Sequence, residues 1–161
     1  MKYFDLPFSM FIFMFILVLP AQSIFANECT SLVQKEDYYE ATDVCGNMAK
    51  KGNRDAQFAL AVMYYQGSGM ISDMGMAYKW MRKSAEKNHP QAQYNLGIMM
   101  ANGQGSDVDL VGAYAWLKIS ADNAYSAAND SVKQLGEELS SKEKQAADEK
   151  IQSLKKEYNL K

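Results

Sequence analysis

RDAQFALAVMYYQGSGMISDMGMAYKWMRKSAEKNH, residues 54–89, runs directly into PQAQYNLGIMMANGQGSDVDLVGAYAWLKISADNAY, residues 90–125, and the two strings align without a gap. Leu60 falls on Leu96, Gly67 on Gly103, Gly69 on Gly105 and Asp73 on Asp109. Tyr78 falls on Tyr114, Trp80 on Trp116 and Ser84 on Ser120. The same step of 36 residues extends outward through Ala41, Ala77 and Ala113, through Ala49, Ala85 and Ala121, and through Ala56, Ala92 and Ala128. A fixed period of this size marks stacked supersecondary units, each too small to bury its own apolar face. Arrays of that kind present a surface to a partner more often than they house chemistry.

Within each unit the apolar spacing is helical. Ala56, Leu60, Met63 and Tyr64 form one stripe, as do Ala92, Leu96, Met99 and Met100. Ala77, Trp80, Met81, Ser84 and Ala85 form the stripe of a second helix, repeated as Ala113, Trp116, Leu117, Ser120 and Ala121. The alanines let paired helices approach closely, and the tryptophans fill the space between neighbouring hairpins. Gly67 and Gly103 suit the left-handed residue that commonly ends a helix. Asp73 and Asp109 suit the position that opens the next one, where a carboxylate accepts backbone N–H bonds and meets the positive helix end. Pro90 suits a first turn. The spacing predicts helices at 36–51, 54–66, 73–87, 91–102, 109–123, 126–138 and 141–158. The fold class is therefore all-α, a short α-solenoid of stacked antiparallel helix hairpins with a 36-residue repeat.

The pattern A-x-x-x-L, G-x-G, D-x-x-x-A-x-x-W-x-x-x-S-A resembles the Sel-one-like repeat (SLR), a short relative of the tetratricopeptide repeat. The resemblance covers residues 36–158. Two positions depart from it: Ala61 stands where Gly97 keeps the family's glycine, and Met100 stands where Tyr64 keeps its tyrosine. The domain spans 27–161, with the clearest repeats bounded at 53–88 and 89–124, a residue ahead of the quoted strings, and with 36–52 and 125–158 as partial or capping units. The resemblance implies a scaffold or adaptor that binds another protein, and its members are often exported from bacterial cells. In the wider superfamily the first helix of each hairpin lines the concave face. Off the core stripe of those helices lie Phe58, Tyr65, Gln66, Tyr94, Asn95 and Asn102, the expected partner-binding residues, an aromatic and amide set that suits a protein groove. Phe58 and Tyr94 recur at one period, so packing is the competing role for them. Met63, Met70, Met74, Met76, Met99 and Met100 are open to the same two readings, an adaptable surface or gap-filling.

The ends read differently from the repeats. Lys2 precedes an almost wholly apolar run from Leu6 to Leu19, closed by Pro20 and followed by the small residue Ala26. This is a secretory signal pattern over 1–26. The run is short for a membrane span, which needs about 20 residues, although retention as an anchor is the alternative. Glu28 before Cys29 argues against lipid modification. The expected location is periplasmic or secreted. Cys29 and Cys45 are the two cysteines, and an oxidising compartment favours their pairing. Repeat register sets Cys29 beside Tyr65, near a helix end, and Cys45 beside Met81, about two turns into a helix. A bridge at those heights requires residues 27–35 to be irregular or shifted; otherwise the two remain free thiols. At the other end the glycine pair is lost after Tyr125. Residues 137–161 carry six acidic and six basic side chains, which fits a solvated capping helix or a charged docking helix.

Function classes narrow accordingly. Removing residues 1–26 takes away one lysine and one aspartate, so the net charge stays at −2; no basic face is available for phosphates, and nucleic acid is not an expected partner. His89 is the lone histidine, which excludes a serine–histidine–aspartate set built on any other base and leaves no zinc spacing. Glu137 and Glu138 are adjacent on a predicted helix, so their side chains diverge. The glycine pairs follow helices and lack the strand and lysine of a phosphate loop. No catalytic residue, metal or cofactor is expected. Some cysteine-rich secreted relatives bind or weakly hydrolyse β-lactams, but the repeated cysteine pairs are missing here. Two functions fit: an envelope adaptor or scaffold, and an immunity protein that occludes a toxin enzyme. A peptidoglycan- or β-lactam-acting enzyme ranks below both. Neither leading reading requires membrane insertion once the leader is removed, and a monomer or weak dimer suits each.

Overall fold

A computed structural model describes residues 21–160; the apolar leader at 6–19 lies outside them. The described residues form eight α-helices and no strand: α1 (Ala21–Gln34), α2 (Tyr38–Lys50), α3 (Arg54–Gln66), α4 (Met74–Glu86), α5 (Pro90–Asn102), α6 (Leu110–Asp122), α7 (Ala128–Glu138) and α8 (Ser141–Tyr158). Successive helices pack as antiparallel hairpins, with α4 bridging α3 and α5, and both α7 and α8 packing on α6.

The helix boundaries follow from capping. Asn53, Asp73 and Asp109 accept hydrogen bonds from the backbone N–H groups of Ala56, Met76 and Gly112, at 2.8, 2.9 and 2.7 Å. Each satisfies one of the donors a helix start leaves free. Gly67 and Gly103 close α3 and α5 in the left-handed conformation. Ser140 and Glu143 form a reciprocal capping box at the start of α8. The second-helix ends repeat too: Gly52, Asn88 and Ala124, 36 residues apart, all have positive φ (92°, 62° and 63°).

The second glycine of each pair has a different task. A Cβ on Gly69 would stand 2.7 Å from the carbonyl oxygen of Tyr38, and one on Gly105 would run into the carbonyl oxygen of Met74. The loop of each hairpin thus rests on the first residues of the preceding hairpin's second helix, too closely for any side chain.

The apolar interior has two lobes. Ala41, Cys45, Ala49, Leu60 and Met63 form the N-terminal one with Cys29. Met81, Leu96, Trp116, Leu117, Ile119, Leu135, Ile151 and Leu154 belong to the larger one. Tyr64 and Trp80 pack against both, so Trp80 does lie between neighbouring hairpins. Asp122 receives Lys118 at 2.8 Å and Lys155 at 3.0 Å, tying α8 to α6. Burial works to raise the Asp122 pKa, and the hydrogen bonds from the two lysines outweigh it, leaving the carboxyl below its usual range.

α1 is the element the periodicity does not predict. It ends at Gln34, four residues beyond position 30, the register partner of Gln66 at the end of α3. Only residues 35–37 connect it to α2, against 67–73 between α3 and α4. One helical turn has replaced four loop residues. At a rise of about 1.5 Å per residue, that moves Cys29 some 6 Å down the helix relative to its register position. The height mismatch disappears, and Cys29 and Cys45 are joined by a disulfide with Cα atoms 4.9 Å apart. Of the two ways to make the bridge, an irregular segment or a shifted one, the molecule uses the shift. No described helix is long and apolar enough to cross a membrane.

Candidate partner-binding surface

The six expected binding residues fall into two groups. Phe58 is the fifth residue of α3 and Tyr65 the twelfth; about 10 Å of helix separates them. Asn95 and Asn102 are spaced the same way on α5. The residues therefore line two levels of the first-helix face rather than one cluster.

At the lower level the aromatic rings pack across the seams between first helices. The half-buried Phe58 stacks on His89, with ring centroids 4.6 Å apart and planes at 19°. Tyr94 meets Tyr125 one repeat later, at 5.3 Å and 50°. Asn95 is half-buried beside Tyr94. His89 also caps α5: its Nδ1 accepts the N–H of Ala92 at 3.2 Å, which requires that nitrogen to be unprotonated. Its Nε2 stands 3.6 Å from an Asp55 carboxylate oxygen. Burial lowers the His89 pKa, against an opposing pull from Asp55 and with help from Arg54.

The upper level is open to solvent. Tyr65 (39% exposed) and Gln66 end α3, and Asn102 ends α5. Gln104, in the loop after α5, donates to the Tyr65 hydroxyl at 3.3 Å. Thus the structure brings Tyr65 to the loop of the next repeat, and Gln66 and Asn102 flank that contact on their own helix ends.

One repeat further on, the same place is a cleft of about 230 Å³. Ile98, Ala101 and Leu110 line it with Leu117 and Leu135, and Asn102, Ser131, Gln134 and Glu138 form its polar part. Sequence reasoning missed it, although its signal was present. Ala101 is the register partner of Tyr65, and the loop after α7 is cut to Leu139 and Ser140, so no counterpart of Gln104 reaches over. Two other clefts lie away from this face. One of about 480 Å³ runs along α2 past Glu28, Met48 and Asn53. The other, of about 350 Å³, lies over α4 around Trp80, where Lys83 sits 4.3 Å above the indole ring. Among the described residues no group of three acidic, histidine or cysteine side chains is placed to hold a metal ion.

Hairpins in this repeat, stacked through capped helices and glycine loops, define a short α-solenoid of the tetratricopeptide type. Residues 54–89 and 90–125 are Sel1 repeats, matching that family's model over both spans. Among solved structures the chain is similar to c5321, a protective antigen present in uropathogenic Escherichia coli strains displaying an SLR fold. The identity is 28%, the TM-score 0.80, and the match covers 85% of this chain and 30% of that one. It is also similar to a Sel1 repeat protein from Oxalobacter formigenes, with 26% identity and a TM-score of 0.60 over 65% of this chain and 41% of that one. The match thus spans less than half the length of either relative. No curated protein matches it. Sel1-repeat proteins generally mediate protein–protein interaction, and the fold is typically a non-enzymatic scaffold.

Proposed function

We propose that this protein is an exported adaptor that holds a partner protein on the face formed by α3, α5 and α7, without turnover. The observation that carries the reading is the open upper level of that face. Tyr65, Gln66 and Asn102 present an aromatic ring and two amides to solvent at successive helix ends. Such groups make contact area and directional hydrogen bonds at little ordering cost. Phe58, Tyr94 and Asn95 extend the surface at the lower level, where the rings also support the seams. Export is supported by the leader pattern at 1–26 and by the buried disulfide, a cross-link that persists in oxidising compartments. The periplasm is the compartment that suits both.

Affinity capture of the tagged protein from its native envelope, after brief crosslinking, tests the reading. A parallel bait carries Tyr65→Ala with Asn95→Ala. One dominant protein recovered by the wild type and lost with the variant is the expected result. No specific protein with either bait, together with turnover of a small substrate, overturns it.

A further inference from the structure

The large apolar side chains that are exposed among the described residues are Tyr39, Tyr65, Ile71, Met74 and Val108, and all fall on one edge of the solenoid. Tyr39 lies in the first turn of α2, Tyr65 in the last turn of α3, and Met74 opens α4; Ile71 and Val108 sit in the loops after α3 and α5. Those elements touch. The loop carrying Ile71 rests on the start of α2, where Gly69 meets Tyr38, and the loop carrying Val108 rests on the start of α4, where Gly105 meets Met74. Gln104 ties the second loop to Tyr65. Tyr39 and Ile71 are 90% and 91% exposed, so the fold draws almost no burial from either. Single exposed apolar residues are ordinary, but a set gathered on one edge and rimmed by polar groups marks an interaction surface. The edge also has one sign. Its three last-turn, loop and first-turn segments are residues 31–41, 63–77 and 99–113. They carry Glu36, Asp37, Glu40, Asp73, Asp107 and Asp109 against Lys35 alone. The six acidic side chains are exposed, and none is in an ion pair among the described residues. At the opposite ends of the same helices, residues 47–57 and 83–93 carry five lysine or arginine side chains against Asp55 and Glu86.

We propose that this edge docks a basic protein segment in which lysine or arginine side chains are interleaved with apolar ones. The segment's apolar side chains cover Tyr39, Ile71 and Val108. Its cations meet Glu36, Glu40 and Asp107, the carboxylates of the edge that cap no helix. The combination of exposed apolar area and acidic sign decides among occupants. Apolar loop tips also suit a bilayer, but an anionic lipid surface is repelled by an acidic edge. A second copy offers its basic opposite edge, yet that edge exposes no large apolar side chain to cover the ones here. A segment that is both basic and apolar matches the two features together: opposite charge steers the approach and selects the partner, and apolar burial holds it. The edge adjoins the first-helix face at Tyr65 but is a separate surface, so this assignment goes beyond the adaptor reading and stands or falls apart from it.

Panning a displayed library of random peptides on the wild-type protein tests it. Enriched peptides are then titrated against Tyr39→Ser with Ile71→Ser, against Glu40→Lys with Asp107→Lys, and against Asn95→Ala on the first-helix face. The four edge positions are exposed, and thermal midpoints check that the variants fold. The expected peptides alternate Lys or Arg with apolar residues. Their affinity falls at least about tenfold in the serine pair. In the lysine pair it falls several-fold and loses most of its salt dependence. In Asn95→Ala it is unchanged. Should the serine pair not fold, Ile71→Ser alone, in a loop, decides. Peptides weakened by Asn95→Ala and by neither edge pair overturn the edge assignment and leave the adaptor reading standing. Binding that responds to the lysine pair and not to the serine pair is unspecific charge attraction and overturns it, as does a panning without enrichment. Vesicles of phosphatidylglycerol and phosphatidylethanolamine, and sedimentation of the protein alone, address the other occupants. Vesicle binding or self-association that is lost in the serine pair gives the edge to a membrane or to a second copy and overturns the proposal.

Discussion

The joint between α2, α3 and α4 and the joint between α4, α5 and α6 are built at identical register and bonded by different means. Both place a buried glutamine near the start of the first helix. Gln57 donates to the Ala49 carbonyl at 3.0 Å and Gln93 to the Ala85 carbonyl at 3.2 Å. Both seat a buried serine on the next helix start, Ser84 on the Arg54 carbonyl and Ser120 on the Pro90 carbonyl. Beyond that they part. In the second joint Asn123 donates to Gln93 Oε1 and to Asn88 Oδ1, at 2.8 and 2.7 Å, and Gln93 itself reaches Asn88. The amides form a closed network. In the first joint the register partners of Asn88 and Asn123 are Gly52 and Lys87. Lys87 bonds the Gly52 carbonyl, Arg54 bonds the Asn88 carbonyl, and Gln57 Oε1 is left without a protein partner. Gln57 Oε1 and Trp80 Nε1 are the two such buried side-chain atoms among the described residues, and both belong to the first repeat. The lesson is that a repeat preserves shape before it preserves bonding. Alanines, serines and glycines keep the helices at one spacing, and the polar interior is then satisfied locally.

The largest effect should come from what the joints share. Gly105→Ala must put a Cβ against the Met74 carbonyl oxygen while holding a φ of 81°. The left-handed strain and the overlap together cost about 3 kcal/mol. Gly69→Ala, with a φ of 73° and the Tyr38 carbonyl oxygen at 2.7 Å, should lose a similar amount. Gly67→Ala meets nothing closer than 3.4 Å and should lose only the strain, about 1 kcal/mol. Urea unfolding at unchanged slope measures all three. Equal midpoints for Gly67→Ala and Gly69→Ala would remove the close loop contact from the account.

Next comes what the joints do not share. Gln93→Leu removes three bonds of the amide network at once, those to the Ala85 carbonyl, to Asn88 Oδ1 and from Asn123; the Ala85 carbonyl keeps the Asn88 N–H and Asn123 keeps Asn88, and the loss should be about 2 kcal/mol. Gln57→Leu removes a single bond, to an Ala49 carbonyl that keeps the Gly52 N–H, together with an oxygen that was already unpaired, so it should stay within about 1 kcal/mol of wild type. Similar losses from the two leucine variants would mean that the network adds nothing beyond a single hydrogen bond. A gain tests the same comparison from the other side. Gly52→Asn with Lys87→Asn transplants the second joint's amides into the first. Asparagine tolerates the positive φ at 52, and the one close contact there, Lys87 Nζ at 2.7 Å, leaves with the lysine. The pair should stabilise the fold by about 1 kcal/mol, and a following Gln57→Leu should then cost what Gln93→Leu costs.

How much of this was legible follows the same division. The 36-residue step exposed hairpins, caps and glycine loops because each rests on a residue type that few others can replace. Asn53, Asp73 and Asp109 at helix starts and Gly67 and Gly103 at helix ends are of that kind. The network of Asn88, Gln93 and Asn123 was not legible, since amides at isolated positions read as surface and only folding brings them together. α1 escaped because the periodicity projects the first helix four residues too early, and an added turn leaves no mark in composition. For the candidate surface, the sequence pointed to Tyr65, Gln66 and Asn102 on the first helices, and all three lie at exposed helix ends. It gave no hint that Phe58 would stack on His89, because the histidine belongs to the next unit. The cleft at Ala101 stayed hidden for a plainer reason: what forms it is a side chain smaller than its counterpart.

His89 supplies the smallest and most specific test of the difference between joints. The first joint caps α3 with Asn53; the second caps α5 with a histidine that must keep Nδ1 free to accept from Ala92. Burial is the main cause of its lowered pKa, opposed by Asp55 and aided by Arg54. The unfolded chain therefore takes up the proton first as pH falls, near the ordinary histidine value of about 6.5. Stability from this group is fully present above that value and declines as pH drops through it toward the lower folded pKa. Asn is at least as good a cap and does not titrate in this range. His89→Asn should therefore flatten this part of the stability profile between neutral and mildly acidic pH, while losing some of the Phe58 stacking at all pH values. Asp55→Asn should act the other way: without the carboxylate the folded histidine resists protonation more strongly, and the acid-side decline grows. Thermal midpoints measured at several pH values across this range distinguish the three proteins. An unchanged acid-side slope in His89→Asn would show that the cap at the second joint titrates no differently from the asparagine at the first.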